Sequence, residues 1–435
     1  MAEPSLLGVG VINDYTHPGT AGGAISQVDS TGTVNAGVVT QINSGNTFNG
    51  HDPRILGFFN TSDSQKPPRA LVADYNYQAA STYGVFTPRR NVSTWGNPEN
   101  ISTSTDWHTN NPYSIVTNGN DMYIMGYDQN TIVKINTTNY TYTNTFYTYT
   151  PLTGKTGHGV DMDKITIGNT DYIVALFSND DGSYGNYGDS QLVILDFSGK
   201  TISTCNLNAN ANSLNINITG NTPHAYITSY GGPQNAGGNN GSPYTSKLQI
   251  VDLTPPSTVI QTIGPKTTPV DAGDYIDVAL VGSYAYVLTA NYNDDFSQYT
   301  YMLVKVSQAN LLNGTFDGNS SYTATVDSGA TWLLAYDGTV LWFVAGKQVY
   351  TIDTSVAISS SALTLRANAN DHSSDSQGLG ISGAYGQLNT ASVVIPYSAT
   401  AGVSRAAARS AVSGGHTKFA KVMLPREVLE KLGRA

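Results

Sequence analysis

A unit of four short strands recurs along this chain about every 50–60 residues, a period that belongs to stacked or radial repeat folds. The clearest copy is residues 113–149. Tyr113-Ser-Ile-Val-Thr leads to the turn Asn118-Gly-Asn-Asp121, then Met122-Tyr-Ile-Met-Gly, Thr131-Ile-Val-Lys-Ile-Asn and Tyr140–Tyr149. Further copies run from Val160 through Leu192-Val-Ile-Leu-Asp196, from Leu214 to Asp252, from Tyr275 through Met302-Leu-Val-Lys-Val, and from Thr331 to Asp353. A looser copy has Ile55–Phe59, Ala70–Asp74 and Tyr83-Gly-Val-Phe. β-Branched and aromatic runs bounded by Gly, Asn, Asp and Ser clusters read as strands, and helical periodicity is nearly absent before residue 404. Four antiparallel strands per unit at this spacing predict an all-β fold, a β-propeller.

Six units are complete. Leu6–Ile12, Ala24–Asp29 and Val38–Ile42 form a fragment with no first strand, and Gly378–Ser382 is a first strand with no unit after it. Together they predict a seventh blade closed by both termini, which removes the exposed edge of an open fan. Ser392-Val-Val-Ile-Pro reads as another strand, which leaves the division of that blade open and eight blades as the nearest alternative. The propeller is expected over residues 1–400, an Ala/Ser/Gly linker over 401–415 and a basic strand–helix tail over 416–435. In the tail, Pro425 stands at a first helical position and Gly433 is a stop signal. The tail is expected to make few contacts with the propeller.

Composition narrows the partners. The formal net charge is −10 at pH 7 and only 12% of residues are charged. Residues 401–435 carry +5 and the rest −15. So acidic a body repels phosphate backbones, and nucleic acid is not an expected partner of the propeller. No apolar run is long enough for a membrane span. The single cysteine, Cys205, reads as a small buried hydrophobe, and a core this large does not need a disulfide. A surface of Asn, Thr, Ser and Tyr, poor in Lys, points to an extracellular or cell-surface protein, with no signal peptide in this sequence.

Met122-Tyr-Ile-Met-Gly-Tyr-Asp-Gln-Asn-Thr-Ile-Val-Lys-Ile-Asn resembles the repeat of bacterial YVTN-type propellers. Ala285-Tyr-Val-Leu-Thr-Ala-Asn-Tyr and Ala225-Tyr-Ile-Thr-Ser-Tyr are similar. That family includes surface proteins and lactonase-like enzymes, so the resemblance implies a bacterial secreted seven-bladed propeller and a compartment more than a chemistry. Lys421-Val-Met-Leu-Pro-Arg-Glu-Val-Leu-Glu-Lys-Leu-Gly is similar to half of an AbrB-type swapped-hairpin domain. The other half is missing, and the tail reads better as a docking or sorting element.

Strand logic selects a face. First-to-second hairpins are short, as at Asn118–Asp121, Gly282-Ser283 and Asp337-Gly338. Second-to-third loops are long: Asn13–Gly23, Ser178–Ser190, Tyr230–Ser246 and Asn291–Thr300. Long loops on a rigid scaffold are where binding concentrates. His51, His108, His158 and His372 precede inner strands on that face, with Asp161, Asp274 and Asp375 beside them, so they are candidates for a ligand site at the channel mouth. Imidazoles with nearby carboxylates suit a divalent metal or acid–base work. The plainer reading is strand capping by hydrogen bonds to backbone.

The same loops carry Tyr15, His17, Tyr184, Tyr187, Tyr230, Tyr244 and Tyr292, with Trp107 beside His108. Rings among Asn and Asp suit stacking on sugars or on a partner protein. Asn179, Asp180, Asp181 and Asp189 form an oxygen-rich stretch suited to Ca²⁺ or another divalent metal, though without EF-hand spacing. The expected function is a binding module for a glycan or an extracellular protein. The competing expectation is a metal- or His/Asp-dependent lactonase or lyase. No nucleophile elbow, P-loop or paired-cysteine motif is present to name a reaction.

Overall fold

The computed structural model describes residues 6–12, 24–29, 40–41, 53–59, 69–74, 82–86, 100–181, 187–219, 222–231, 246–264, 274–292, 298–316, 320–327, 333–336, 340–345, 348–368, 387–395 and 418–419. They build an all-β propeller from four-stranded antiparallel sheets whose strands follow chain order. The first blade is Pro53–Phe59, Arg69–Asp74, Thr82–Phe86 and Asn100–Thr103. The second is Pro112–Asn118, Asp121–Gly126, Thr131–Asn136 and Thr141–Thr148. The third, with the longest strands, is Thr156–Ile167, Thr170–Asp180, Gly188–Asp196 and Thr201–Ala209. The fourth is Ala211–Thr219, Thr222–Ser229, Lys247–Asp252 and Thr258–Ile263. The fifth is Asp274–Val281, Tyr284–Tyr292, Gln298–Ser307 and Ser320–Asp327. The sixth is Leu333–Tyr336, Leu341–Ala345, Gln348–Ile352 and Leu363–Asn368.

First strands of successive blades lie against one another and so form the inner ring. The number of four-stranded blades is six rather than the seven expected. Strands from the two ends of the chain instead form a five-stranded sheet, ordered Lys418–Phe419, Gln387–Ile395, Leu6–Ile12, Ala24–Asp29 and Thr40–Gln41. Gln387–Ile395 packs between the inner strands of the first and sixth blades. The partner of Leu6–Ile12 is therefore the stretch that contains Ser392-Val-Val-Ile, and Gly378–Ser382 lies outside the described residues. Lys418 and Phe419 pair with Ser392 and Ala391, and they lie beside the inner strands of the second and sixth blades. This described stretch of the tail thus adds to the propeller's inner edge.

The sequence pattern follows from packing between blades. Second strands are covered on both faces and read as unbroken apolar runs: Met122–Met125 and Ile173–Phe177 are at most 1% exposed. One cluster joins the second and third blades through Met125, Ile132, Met162, Ile173 and Phe177. Another joins the fourth and fifth through Tyr226, Ile250, Val278 and Val287. Each fully buried aliphatic side chain contributes about 1.5–3 kcal/mol. Outer strands have one covered face and one open edge, so Thr141–Thr148 is mostly exposed and rich in Thr, Tyr and Asn. Among the described residues, helix is confined to Ser104–Trp107, Gln308–Leu312 and the 3-10 turn Ser360–Ala362.

Candidate functional site

Inner strands begin on the face that carries the second-to-third loops, and five of them share one irregularity. Their register with the second strand shifts between Ile55 and Gly57, Pro112 and Ser114, Gly159 and Asp161, Ala211 and Ser213, and Tyr275 and Asp277. A bulge at the same place in each strand turns the strand start and re-aims the residue that follows. That residue is Gly57, Ser114, Asp161, Ser213 or Asp277, always small or polar.

Three of them, Ser114, Asp161 and Asp277, tie one blade to the next. Ser114 Oγ donates to Asp161 Oδ1 at 3.1 Å, and Leu214 N donates to Asp161 Oδ2 at 3.3 Å, so one carboxyl spans the second, third and fourth blades. Met162 N also donates to Oδ1, at 2.8 Å. Thr228 Oγ1 donates to Ile276 O at 3.1 Å, which joins the fourth blade to the fifth. Leu334 N donates to Asp277 Oδ2 at 3.0 Å, which joins the fifth to the sixth. Burial pushes the Asp161 carboxyl up to about 8; the nearby Asp163 charge adds to the rise, and the bonds from Met162, Ser114 and Leu214 oppose it.

His158 is 3% exposed at the start of the third inner strand. Its ring stacks on Tyr127 with centroids 4.5 Å apart, and Nδ1 is 2.9 Å from Tyr127 O. A carbonyl oxygen only accepts, so Nδ1 carries a proton. Nε2 is 3.1 Å from Oδ1 of Asp180, which is fully buried; the pair is close enough for charge pairing but off the hydrogen-bond direction.

Asp274 opens the fifth inner strand and pairs through its backbone with Ala290. It is half-buried, and burial lifts its carboxyl to about 7. His108 is exposed, terminates the helix Ser104–Trp107 at φ 53°, and packs on Tyr142 of an outer strand with centroids 4.3 Å apart. It therefore lies over the blade periphery, while His158 lies in the inner ring. His51, His372 and Asp375 fall outside the described residues.

The loop candidates divide in the same way. Trp107 is 1% exposed, donates from Nε1 to Tyr140 O at 3.0 Å and packs on Tyr83 with the rings tilted by 30°. Tyr187 and Tyr230 are buried as well, unlike the exposed rings expected. Tyr292 ends a strand, with its side chain outside the description, and Tyr15, His17, Tyr184 and Tyr244 lie outside the described residues.

Asn179 and Asp180 belong to a strand rather than a loop, and both are fully buried. Asn179 Oδ1 accepts from Tyr149 Oη and Leu152 N at 3.2 and 3.3 Å, and its Nδ2 donates to Asp189 O at 2.7 Å. Asp181 is exposed and Asp189 half-buried. Two of the four proposed metal-binding oxygens are thus engaged inside the blade. No group of three His, Cys, Asp or Glu side chains gathers at metal-binding spacing among the described residues.

Asp161 reads from the sequence as a ligand candidate rather than as a tie between blades, and Ser114, Ser213 and Asp277 are missed, although a signal for them is present. A polar residue interrupts an apolar strand start in Tyr113-Ser-Ile, Val160-Asp-Met, Asn212-Ser-Leu and Ile276-Asp-Val. Aligning the repeats on those strands exposes it.

No family model matches the chain, and no curated protein matches it in sequence. Its similarity is to solved structures. A candidate 6-phosphogluconolactonase from Bacteroides uniformis has 16% identity and a TM-score of 0.50, over 84% of this chain and 95% of that one. A second candidate 6-phosphogluconolactonase, from Bacteroides fragilis, has 14% identity and a TM-score of 0.47, over 83% and 93%. A protein of unknown function from Desulfotomaculum acetoxidans has 14% identity and a TM-score of 0.42, over 83% and 99%. At this identity the first likeness shows the propeller fold.

Proposed function

We propose that the chain is a secreted or cell-surface propeller that binds a glycan or a partner protein on the face where its inner strands begin. The five-stranded sheet is, in this reading, the seventh blade, which closes the ring with both ends of the chain. The observation that carries the reading is the shared bulge and its clasp. Three polar groups at the described strand starts are spent on holding blades together: Asp161 on three blades, Asp277 on two, and His158 on Tyr127 of the second blade. They make a fixed platform, on which segments 182–186 and 232–245 supply the variable chemistry. The test replaces both segments with short Gly/Ser linkers and screens the variant against glycan and protein arrays beside the parent chain. The expected result is loss of the parent's ligand with an unchanged melting temperature. Retained binding would overturn this face as the site.

A second reading, a lactonase-type enzyme, is favoured by one group. Asp274, half-buried at an inner-strand start with its carboxyl near 7, is poised for proton transfer at neutral pH. The candidate lactonase from Bacteroides uniformis shares the fold and lends the substrate class. Hydrolysis of a lactone panel by the parent, lost in Asp274→Asn, would support it. No turnover by the parent would leave binding as the function.

A further inference from the structure

The outer strands of propeller blades are sheet edges, and an unprotected edge is a template for another strand. Five of the six four-stranded blades here carry protection. The first blade's outer strand has four residues and runs into the helix Ser104–Trp107. Outer strands of the second and third blades each break register twice against their neighbour, and those of the fourth and sixth break it once. The sixth also carries Arg366. Bulges twist an edge away from pairing, and charge repels it.

The fifth blade differs. Ser320–Asp327 pairs with its neighbour through eight consecutive positions, from Lys305↔Ser320 to Gln298↔Asp327, without a shift. The next pair inward is also unbroken, from Tyr284↔Ser307 to Tyr292↔Tyr299. The edge sequence, Ser-Ser-Tyr-Thr-Ala-Thr-Val-Asp, has no proline and one charge, at its end. Ser321 and Thr323 are exposed and Tyr322 is half-buried. Among the described residues, no strand lies on its outer side in the sheet order.

We infer that Ser320–Asp327 pairs antiparallel with the same strand of a second copy of this chain, joining two propellers edge to edge. The sequence fits self-pairing about a two-fold axis at Thr323, because directly opposed residues of an antiparallel ladder share a face. Thr323 then faces its own copy, Ser321 faces Thr325 and Tyr322 faces Ala324; pairs of Thr with Thr or Ser favour such ladders. The only charge in the strand, Asp327, lies beyond the paired stretch. The two Asp327 carboxylates end up about 27 Å apart at 3.4 Å per residue, beyond the screening length of about 8 Å in physiological salt. The repulsion left to overcome is that of two bodies with net charge −10 each, which salt weakens. One strand pair is a small interface, of the weak, transient class.

Sedimentation velocity on the full chain across a concentration series is the test. The expected result is a concentration-dependent dimer that strengthens as salt is raised. Thr323→Lys, which places two ammonium groups beside the axis, is expected to give a monomer, as is Ser321→Lys. Thr143→Lys, on the twice-bulged outer strand of the second blade, is expected to leave the dimer intact. Melting curves of each variant should match the parent, since these side chains are exposed. A monomer at every concentration overturns the inference, and so does a dimer that survives both edge lysines or one that Thr143→Lys abolishes equally.

Discussion

The third and fifth blades are built on one plan and diverge at both ends of it. Each inner strand has its bulge at the same place, followed by an aspartate that receives a backbone N–H from the next blade. At the residue before the bulge, the third blade has Gly159 and the fifth has Tyr275. Tyr275 fills its own space, fully buried, with its hydroxyl donated to Gly264 O at 2.8 Å. At Gly159 that space belongs to the second blade: a Cβ there would overlap Met125 Cγ and stand 2.7 Å from Gly126 O. The lesson is that the inner ring is conserved in geometry from blade to blade while the filling of each seam is local. Both fillings tie a blade to the one before it: Gly159 makes room for Met125 of the second blade, and Tyr275 reaches Gly264 and packs with Tyr226 and Ile250 of the fourth.

The largest expected effect breaks the third blade's seam at His158. Replacement by Phe keeps the stack on Tyr127 but removes both ring nitrogens from Tyr127 O and Asp180. Leaving a buried polar group without its partner costs about 1–3 kcal/mol for each group so left. Chemical denaturation of His158→Phe should show a loss of that order, and a loss under about 1 kcal/mol, the scale of one neutral hydrogen bond, would mean that the pair does not hold the strands. Gly159→Ala comes next, at about 1–3 kcal/mol for overpacking a tight seam. The comparison position sharpens it: Tyr275→Phe should cost about 1 kcal/mol, one hydrogen bond. Equal losses at the two sites would remove the distinction between the seams.

Asp161 gives a pH signature. Its carboxyl is raised from 3.8 to about 8 in the fold, mainly by burial. A raised acid favours the protonated folded state, so its contribution is fully present below pH 4 and is lost as pH rises through 8. Asp161→Asn has no proton to lose. The parent should therefore lose stability relative to this variant between pH 5 and pH 9, by a few kcal/mol at most. Paired thermal melts at the two pH values measure it. A constant difference would mean that the N–H donors from Met162 and Leu214 hold the carboxyl ionised throughout.

Much of the architecture was legible because central strands covered on both faces must be apolar throughout. Met122-Tyr-Ile-Met and Tyr172-Ile-Val-Ala-Leu announce themselves, and the turn glycines between first and second strands follow: Gly119 and Gly282 sit at φ 59° and 58°. What could not be read was side-chain commitment. Asn179 and Asp180 sit in an acidic, polar stretch that reads as a loop, yet the strand extends through them because Tyr149 and His158 supply partners from elsewhere in the chain. Trp107 and His108 are adjacent in sequence, but a helix cap buries one and exposes the other on an outer strand. Local pattern carries strand periodicity; it does not carry a contact thirty residues away.

The smallest effect expected is at Ser114, and it tests the clasp most directly. Ser114 Oγ accepts from Met162 N at 3.1 Å and lies 3.1 Å from Asp161 Oδ1 and 3.2 Å from Met162 O, to either of which its single proton can go. Ser114→Ala leaves Met162 N with its bond to Asp161 Oδ1. The loss is then about one hydrogen bond, near 1 kcal/mol. Coupling should reveal the connection that size cannot. If Ser114 acts through Asp161, the double variant Ser114→Ala with Asp161→Asn should fall short of the sum of the singles by at least about 0.5 kcal/mol, the usual coupling of residues in contact. Ser213→Ala, in the same place one blade beyond Asp161, has its hydroxyl bonded to Thr228 Oγ1 at 3.0 Å instead. It should add to Asp161→Asn within about 0.3–0.5 kcal/mol. Additivity at both serines would show that the Ser114 hydroxyl does not act through Asp161, and coupling at Ser114 alone would show that the carboxyl reads the blade on one side through a hydroxyl and the blade on the other through the backbone.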